Sequence, residues 1–201
     1  MLSLVAGASL GAAEPAEGSK ARMEITVQVY NQAGAPAVEV HKAESTASWM
    51  YLKAGIDVHW VECPPLERVR GGDQACRQPD DPALFVLSIN PDCPPETSAT
   101  AMGFAVLQGQ SNHAAVVYPR IEAVSQKDPQ CQDCALLGSA MAHELAHLIF
   151  HSARHTDGIM RAVWTSGDFR AMTQQRLVFT QVQVRTLRRM LAQRTGSVQA
   201  Q

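Results

Sequence analysis

Two histidines four residues apart, with a glutamate after the first, are the residues of this sequence best suited to chemistry. The stretch His143-Glu144-Leu145-Ala146-His147 has the HExxH pattern. On a helix, residues four apart lie about 40° apart around the axis and about 6 Å apart along it, so both imidazoles can reach one metal ion. Glu144 is rotated by about 100° from His143 and can reach a water bound to that ion. Catalytic zinc keeps an open fourth position and lowers the pKa of its water to about 7, so this spacing predicts two ligands and a general base.

A third metal ligand is expected soon after this pair. His155 lies eight residues beyond His147, past a helix end predicted near Phe150, where a chain reversal can bring it back. His151 continues the spacing of four, but it would lie about 12 Å along the axis from the first ligand, too far for a compact tetrahedral site. His155 is therefore the predicted third ligand. His151 is predicted to line the rim of the cleft or to cap the helix end through its dipole.

Two aspartates are alternative oxygen ligands. Asp157 directly follows the histidine-rich stretch, and Asp168 lies twenty-one residues past His147, a suitable separation for a ligand on another element. A fourth protein ligand, such as His151 or Asp157, would close the site and indicate a non-enzymatic metal-binding or interaction protein instead.

The chain from Ala142 to Met160, AHELAHLIFHSARHTDGIM, resembles the active-site segment of the metzincin clan of zinc peptidases. The pattern of that clan is HExxHxxGxxH followed by a Met-turn. The chain is similar, more closely still, to small exported bacterial proteins with HELxHLLLG, then a histidine, then GIM. It departs from the clan pattern in three ways: the third histidine comes two residues later, the turn glycine is replaced in the region of Phe150 and His151, and no tyrosine follows Met160.

The resemblance implies a zinc-dependent peptidase that acts on peptide or protein substrates. His143, His147 and His155 would bind Zn²⁺, and Glu144 would be the general base that activates the attacking water. Met160 would form a hydrophobic floor beneath the metal. A zinc peptidase of another clan, with Asp168 as its third ligand, is the rival enzyme.

Hydrophobic periodicity predicts the elements that must position these residues. Alternating apolar residues predict strands, and apolar residues at helical spacing predict helices. The predicted elements are strands at Met23–Tyr30, Ile56–Val61, Ala83–Ile89, Gly103–Leu107 and Ala114–Tyr118, and helices at Val38–Ala54, Ala135–Phe150 and Val178–Gln193. An initial strand, helix and strand indicate a parallel pair with a crossover helix. The fold class is therefore α+β with an α/β-like N-terminal part and a small mixed sheet.

The element order matches a metzincin-like fold, with an active-site helix, a Met-turn and a C-terminal helix. The resemblance implies one such domain over residues 21–201, preceded by a signal-like or disordered segment at 1–20. It also implies that one strand forms the upper rim of the cleft and runs antiparallel to a bound substrate. Gly103–Leu107 is the candidate for that strand.

The net charge argues against a nucleic-acid partner, and the length of the apolar runs argues against a membrane-spanning helix. Seventeen Lys and Arg against nineteen Asp and Glu give a net charge of −2 over 201 residues, which provides no basic excess for binding nucleic acid. No apolar run reaches the roughly 18 residues that a membrane-spanning helix needs.

The small apolar residues from Met1 to Ala13 are typical of a cleaved export signal. The five cysteines favour one or two disulfides, with Cys131 and Cys134 as one pair. We therefore expect a secreted or periplasmic protein.

Overall fold

Five strands form one mostly parallel sheet in the computed structural model of this protein, which describes residues 22–64, 76, 81–95, 97–98, 100–109, 111–128 and 135–196. The elements, in chain order, are β1 (Met23–Asn31), α1 (Ala37–Lys53), β2 (Ile56–Cys63), β3 (Leu84–Asn90), β4 (Gly103–Ala105), β5 (His113–Val117), α2 (Tyr118–Lys127), α3 (Leu136–Phe150), a 3-10 turn (Gly158–Met160), α4 (Ser166–Thr173) and α5 (Gln181–Gly196). The strand order is β2-β1-β3-β5-β4. All neighbours are parallel except β4, which lies at the edge and is antiparallel to β5. The predicted α+β class with a mixed sheet is confirmed.

The first crossover unit forms as the sequence predicts. In β1, Ile25, Val27 and Val29 alternate with side chains on the other face and are buried in the main core. Helix α1 ends before Gly55, whose φ of +75° is a conformation that favours glycine. The chain then enters β2, which pairs in parallel with β1 over eight residues of register.

Helix α3 lies against one face of the sheet and is buried on nearly all sides. Every residue from Leu136 to Ile149 is buried. Small residues let α3 approach α1 closely: a Cβ at Gly138 would lie 2.4 Å from the Ala43 carbonyl oxygen. The Tyr51 hydroxyl of α1 donates to the Ala142 carbonyl at 2.9 Å and joins the two helices through the core. Because α3 is packed on nearly all sides, its few polar side chains are held in defined positions.

The other face of the sheet carries a smaller apolar cluster around a disulfide. Tyr30 and Val86 pack there with Cys63 and Cys76, which form a disulfide bond. The expectation of at least one disulfide is thus confirmed. The predicted pair Cys131–Cys134 and the signal-like segment 1–20 lie outside the described residues.

Two helices and one buried face differ from the sequence prediction. Tyr118, expected to end a strand, begins α2 instead, because Pro119 suits the first turn of a helix. Helix α4 forms in a stretch where no element is predicted, and it begins with a capping box between Thr165 and Asp168. In α5, Val182 belongs to the apolar spacing that predicts the helix, but it is 64% exposed. None of the described helices combines the length and apolar character that crossing a bilayer requires.

Candidate metal centre

Helix α3 brings His143 and His147 together on one face. Their ring centroids are 4.6 Å apart, and their Nε2 atoms are 2.9 Å apart. This is the convergence that the spacing of four residues predicts on a helix. Both side chains are buried, His143 at 6% and His147 at 4% exposure.

Hydrogen bonds fix the tautomer of each of these rings. The Nδ1 of His143 lies 2.8 Å from the Ile159 carbonyl oxygen, and the Nδ1 of His147 lies 2.6 Å from the Ser152 carbonyl oxygen. Because a carbonyl only accepts, each Nδ1 carries the proton and donates it. Each Nε2 is then left with a lone pair. In metal-binding histidines, a hydrogen bond from the nitrogen that does not bind the metal commonly orients the ring.

The two Nε2 lone pairs face each other in a site that disfavours protonation. Burial lowers the pKa of His143 to about 4, and burial also lowers the pKa of His147. Both rings are therefore neutral near pH 7, which is the form that binds metal ions. Two neutral lone pairs 2.9 Å apart repel each other unless a cation lies between them. The donor set thus fits a metal ion.

His155 completes the group from the segment after α3. Its ring centroid lies 5.3 Å from that of His143 and 4.9 Å from that of His147. One ligand nitrogen from each of the three rings lies within 4.8 Å of the others, a grouping able to hold a metal ion. His155 is exposed while the other two rings are buried, so it covers the site from the solvent side.

The chain reverses toward His155 at His151, one residue after α3 ends. His151 has φ 48° and ψ 47°, the left-handed conformation at a helix C-terminus that is usually taken by glycine. His151 therefore occupies the turning position for which the clan pattern uses a glycine, and the turn comes one residue later than in that pattern. Its side chain is exposed, and it does not belong to the metal-binding group.

The two aspartates lie in other surroundings. Asp157 is exposed, and its carbonyl accepts a hydrogen bond from Gln183. Both carboxylate oxygens of Asp168 accept from Arg161, and one of them also accepts from the backbone and hydroxyl of Thr165. Burial opposes ionisation of Asp168, but the contacts with Thr165 and Arg161 outweigh it and lower its pKa. Asp168 thus caps α4, and this position gives no support to its role as a third ligand.

Glu144 lies beside the histidine pair, at the base of the cleft and next to β4. It is only 7% exposed, and burial raises its pKa to about 8. Gly103 of β4 leaves room for it: a Cβ at Gly103 would lie 2.6 Å from Glu144 Cγ and 2.7 Å from its Oε1. The same Cβ would lie 2.7 Å from the Ala115 carbonyl oxygen, so β4 could not shift freely to admit it. Sequence reasoning assigned Gly103 to a strand but did not find this contact.

The 3-10 turn at Gly158–Met160 contacts the His143 ring through a backbone carbonyl. Met160 is 1% exposed, and the Ile159 carbonyl accepts from both His143 and the Trp164 indole. The Trp164 ring meets the His143 ring edge to face at a centroid distance of 5.6 Å. Trp164 therefore packs against the site, and it also lines the cleft.

A cavity of about 450 Å³ opens over the three histidines. The edge strand β4 forms one wall, as predicted for the upper rim, through Gly103, Phe104 and Ala105. The residues after the 3-10 turn form another wall, and among them Val163 is 70% exposed. Glu144 borders this cavity together with the histidines, so a small molecule or chain segment entering it meets all four side chains.

A second group of ligand-type side chains lies on α1 and β2. His41 Nδ1 is 3.0 Å from Glu62 Oε1 and 3.5 Å from Glu44 Oε2. These three side chains form a second grouping whose spacing could hold a metal ion, with one imidazole and two carboxylates. Within the described residues, the grouping made of three histidines is confined to α3 and the segment after it.

The fold is similar to that of solved zinc-dependent peptidases. A zinc-dependent peptidase from Methanocorpusculum labreanum superimposes with a TM-score of 0.55 at 15% identity, over 80% of this chain and 99% of that one. An archaemetzincin from Methanopyrus kandleri superimposes with a TM-score of 0.51 at 15% identity, over 84% of this chain and 96% of that one. At this identity the similarity concerns the fold. No known family and no curated protein matches the sequence itself.

Proposed function

We propose that this protein is a zinc-dependent peptidase of metzincin type. The observation that carries the proposal is the convergence of three imidazoles on one point, with a buried carboxylate beside them in an open cleft. The similarity of the fold to zinc-dependent peptidases supports it.

In this proposal His143, His147 and His155 hold the zinc ion. Three protein ligands leave one position for water or substrate, which distinguishes a catalytic from a structural zinc site. Bound zinc supplies a Lewis acid that polarises a carbonyl oxygen and lowers the pKa of water. The carbonyls of Ile159 and Ser152 hold the two helical rings in the tautomer that this requires.

Glu144 is the general base in this proposal. Its carboxylate takes a proton from the attacking water and then passes it to the leaving amine. Burial raises the pKa of Glu144 to about 8 in the metal-free chain, and a bound cation would favour the ionised carboxylate that a base requires. Because Gly103 has no side chain, β4 leaves the space that the Glu144 carboxylate occupies.

The proposed substrate is a peptide chain in an extended conformation. Strand β4 is an edge strand, so a peptide can pair with its free side by main-chain hydrogen bonds. The cavity lining includes the apolar side chains of Phe104, Leu107 and Trp164, which suit an apolar substrate side chain. Met160 is the proposed hydrophobic floor beneath the metal, and its burial supports this assignment.

Export from the cytoplasm is a separate proposal. It rests on the signal-like start of the sequence, and the disulfide between Cys63 and Cys76 supports it because disulfides persist in oxidising compartments.

Metal analysis combined with a peptide-library cleavage assay tests the proposed function. We expect about one zinc per chain and cleavage that stops with a chelator and returns with zinc. Glu144→Gln should keep the metal and lose cleavage, whereas bound zinc without any cleavage in the wild type would favour the non-catalytic metal-binding alternative. His151→Ala is a matched control for His155→Ala, because both residues are exposed histidines of the same segment and only the second belongs to the metal group.

A further inference from the structure

The first turn of helix α5 contains a glutamine that is buried although it lies in a polar sequence. Gln183 is 7% exposed, while its neighbour Val182 is 64% exposed. The Gln183 side chain accepts a hydrogen bond through Oε1 from the Thr180 backbone N–H at 2.8 Å, and the Gln183 N–H lies 3.3 Å from Thr180 Oγ1. These reciprocal contacts form a capping box at the start of α5.

The amide nitrogen of the same side chain reaches a different segment. Nε2 of Gln183 donates to Thr156 Oγ1 and to the Asp157 carbonyl oxygen, both at 2.8 Å. Both amide hydrogens and the amide oxygen are thus engaged, as a buried amide requires. The two acceptors belong to the two residues that directly follow His155 in the chain.

The segment carrying His155 is held by contacts of its neighbours. The Thr156 N–H donates to the Met160 carbonyl at 2.9 Å, which closes the loop onto the 3-10 turn. Gly158 lies against the chain leading to α5: a Cβ there would lie 2.9 Å from the Val178 carbonyl oxygen. Because His155 itself is exposed, the position of its ring depends on how firmly the backbone after it is held.

We infer that Gln183 is a positioning residue for the third metal ligand, holding the 155–157 backbone so that the His155 ring meets the other two. The inference rests on the proposed function, since it requires that the three histidines bind a metal ion. Gln183 touches neither metal nor substrate in this account. It lowers the conformational entropy that the loop would otherwise lose when the metal binds, and so it preorganises the site.

Replacement of Gln183 by methionine tests this role. Methionine keeps the length and the helix propensity of glutamine but makes none of the three hydrogen bonds. We expect Gln183→Met to bind Zn²⁺ about tenfold more weakly, in a chelator-competition titration, as for supporting contacts of other metal sites. With Co²⁺ as the probe, its visible absorption should change, since an unfixed His155 alters the coordination.

Thr180→Ala provides the control for a change in helix stability alone. It removes the Thr180 hydroxyl from the capping box but leaves Oε1 and both Nε2 contacts of Gln183. It should lower the melting temperature and leave zinc affinity and the cobalt spectrum unchanged. Thr156→Val, which removes one of the two loop acceptors while leaving the cap intact, should weaken zinc binding by a smaller factor than Gln183→Met.

A double-mutant cycle with His155→Ala separates this inference from the proposed function. If Gln183 acts through His155, then Gln183→Met should have no further effect on zinc affinity once His155 is alanine. Equal losses in both backgrounds, or wild-type affinity in Gln183→Met, would overturn the inference and leave the peptidase proposal standing. Failure of the wild type to bind zinc would instead overturn the proposed function.

Discussion

Replacement of Glu144 by glutamine should stabilise the metal-free protein while abolishing peptidase activity. Burial raises the pKa of this carboxyl from its ordinary value of 4.5 to about 8, so the folded chain holds the proton more tightly than the unfolded chain does. The resulting stabilisation is complete below pH 4.5 and is lost as the pH rises through about 8. Linkage at about 1.4 kcal/mol for each pKa unit sets a ceiling of roughly 3 to 4 kcal/mol on the loss between pH 5 and pH 8.

Denaturant unfolding with a chelator, at pH 5 and at pH 8, measures this difference. Structural relaxation reduces the ceiling, so we expect the wild type to lose about 1 to 3 kcal/mol more than Glu144→Gln between the two pH values. Zinc should shrink the difference, because a nearby cation favours the ionised carboxylate. Cleavage by the variant should fall by about 10² to 10⁴, as for loss of a general base. Parallel pH profiles for the two metal-free proteins would refute the assignment of a buried, proton-holding carboxyl at this position.

Four further substitutions test the surroundings of the site. His155→Ala should reduce bound zinc below one per chain in metal analysis, and an unchanged stoichiometry would show that the ligand lies elsewhere. His151→Gly should keep the zinc and raise the free energy of unfolding by about 1 kcal/mol, or the melting temperature by about 3 °C, because glycine adopts the left-handed conformation without strain. Gly103→Ala should displace Glu144 and lower kcat by about a hundredfold with zinc still bound; wild-type kinetics would disprove the close contact. Asp168→Asn should cost about 1 kcal/mol in unfolding experiments near pH 7 with no loss of zinc, and this cost should vanish as the pH falls below the lowered pKa of that carboxyl.

The spacing of His143 and His147 was sufficient to predict their convergence, since a helix fixes the relation between residues four apart. The same reasoning extends to β1, α1 and β2, where short-range periodicity and one glycine determine the boundaries. These features depend on residues near each other in the sequence. A single sequence therefore contains most of the information needed to predict them.

Features that depend on contacts between distant segments could not be predicted in the same way. The Gly103 contact with Glu144 joins an edge strand to a helix, and nothing local to residue 103 signals it. The burial of Gln183 does not follow from the apolar spacing that predicts α5. The Thr-x-x-Gln pattern at 180–183 is a local capping signal that could have indicated the start of that helix. Its further contact with the segment after His155 required the structure.

Anomalous diffraction at the zinc edge, from crystals grown with one equivalent of zinc, locates the metal ion and its ligands. We expect a single strong peak about 2.0 to 2.1 Å from a ring nitrogen of each of His143, His147 and His155. A peak bound by His143 and His147 but with His155 turned away, or a peak at His41, Glu44 and Glu62 alone, would contradict it.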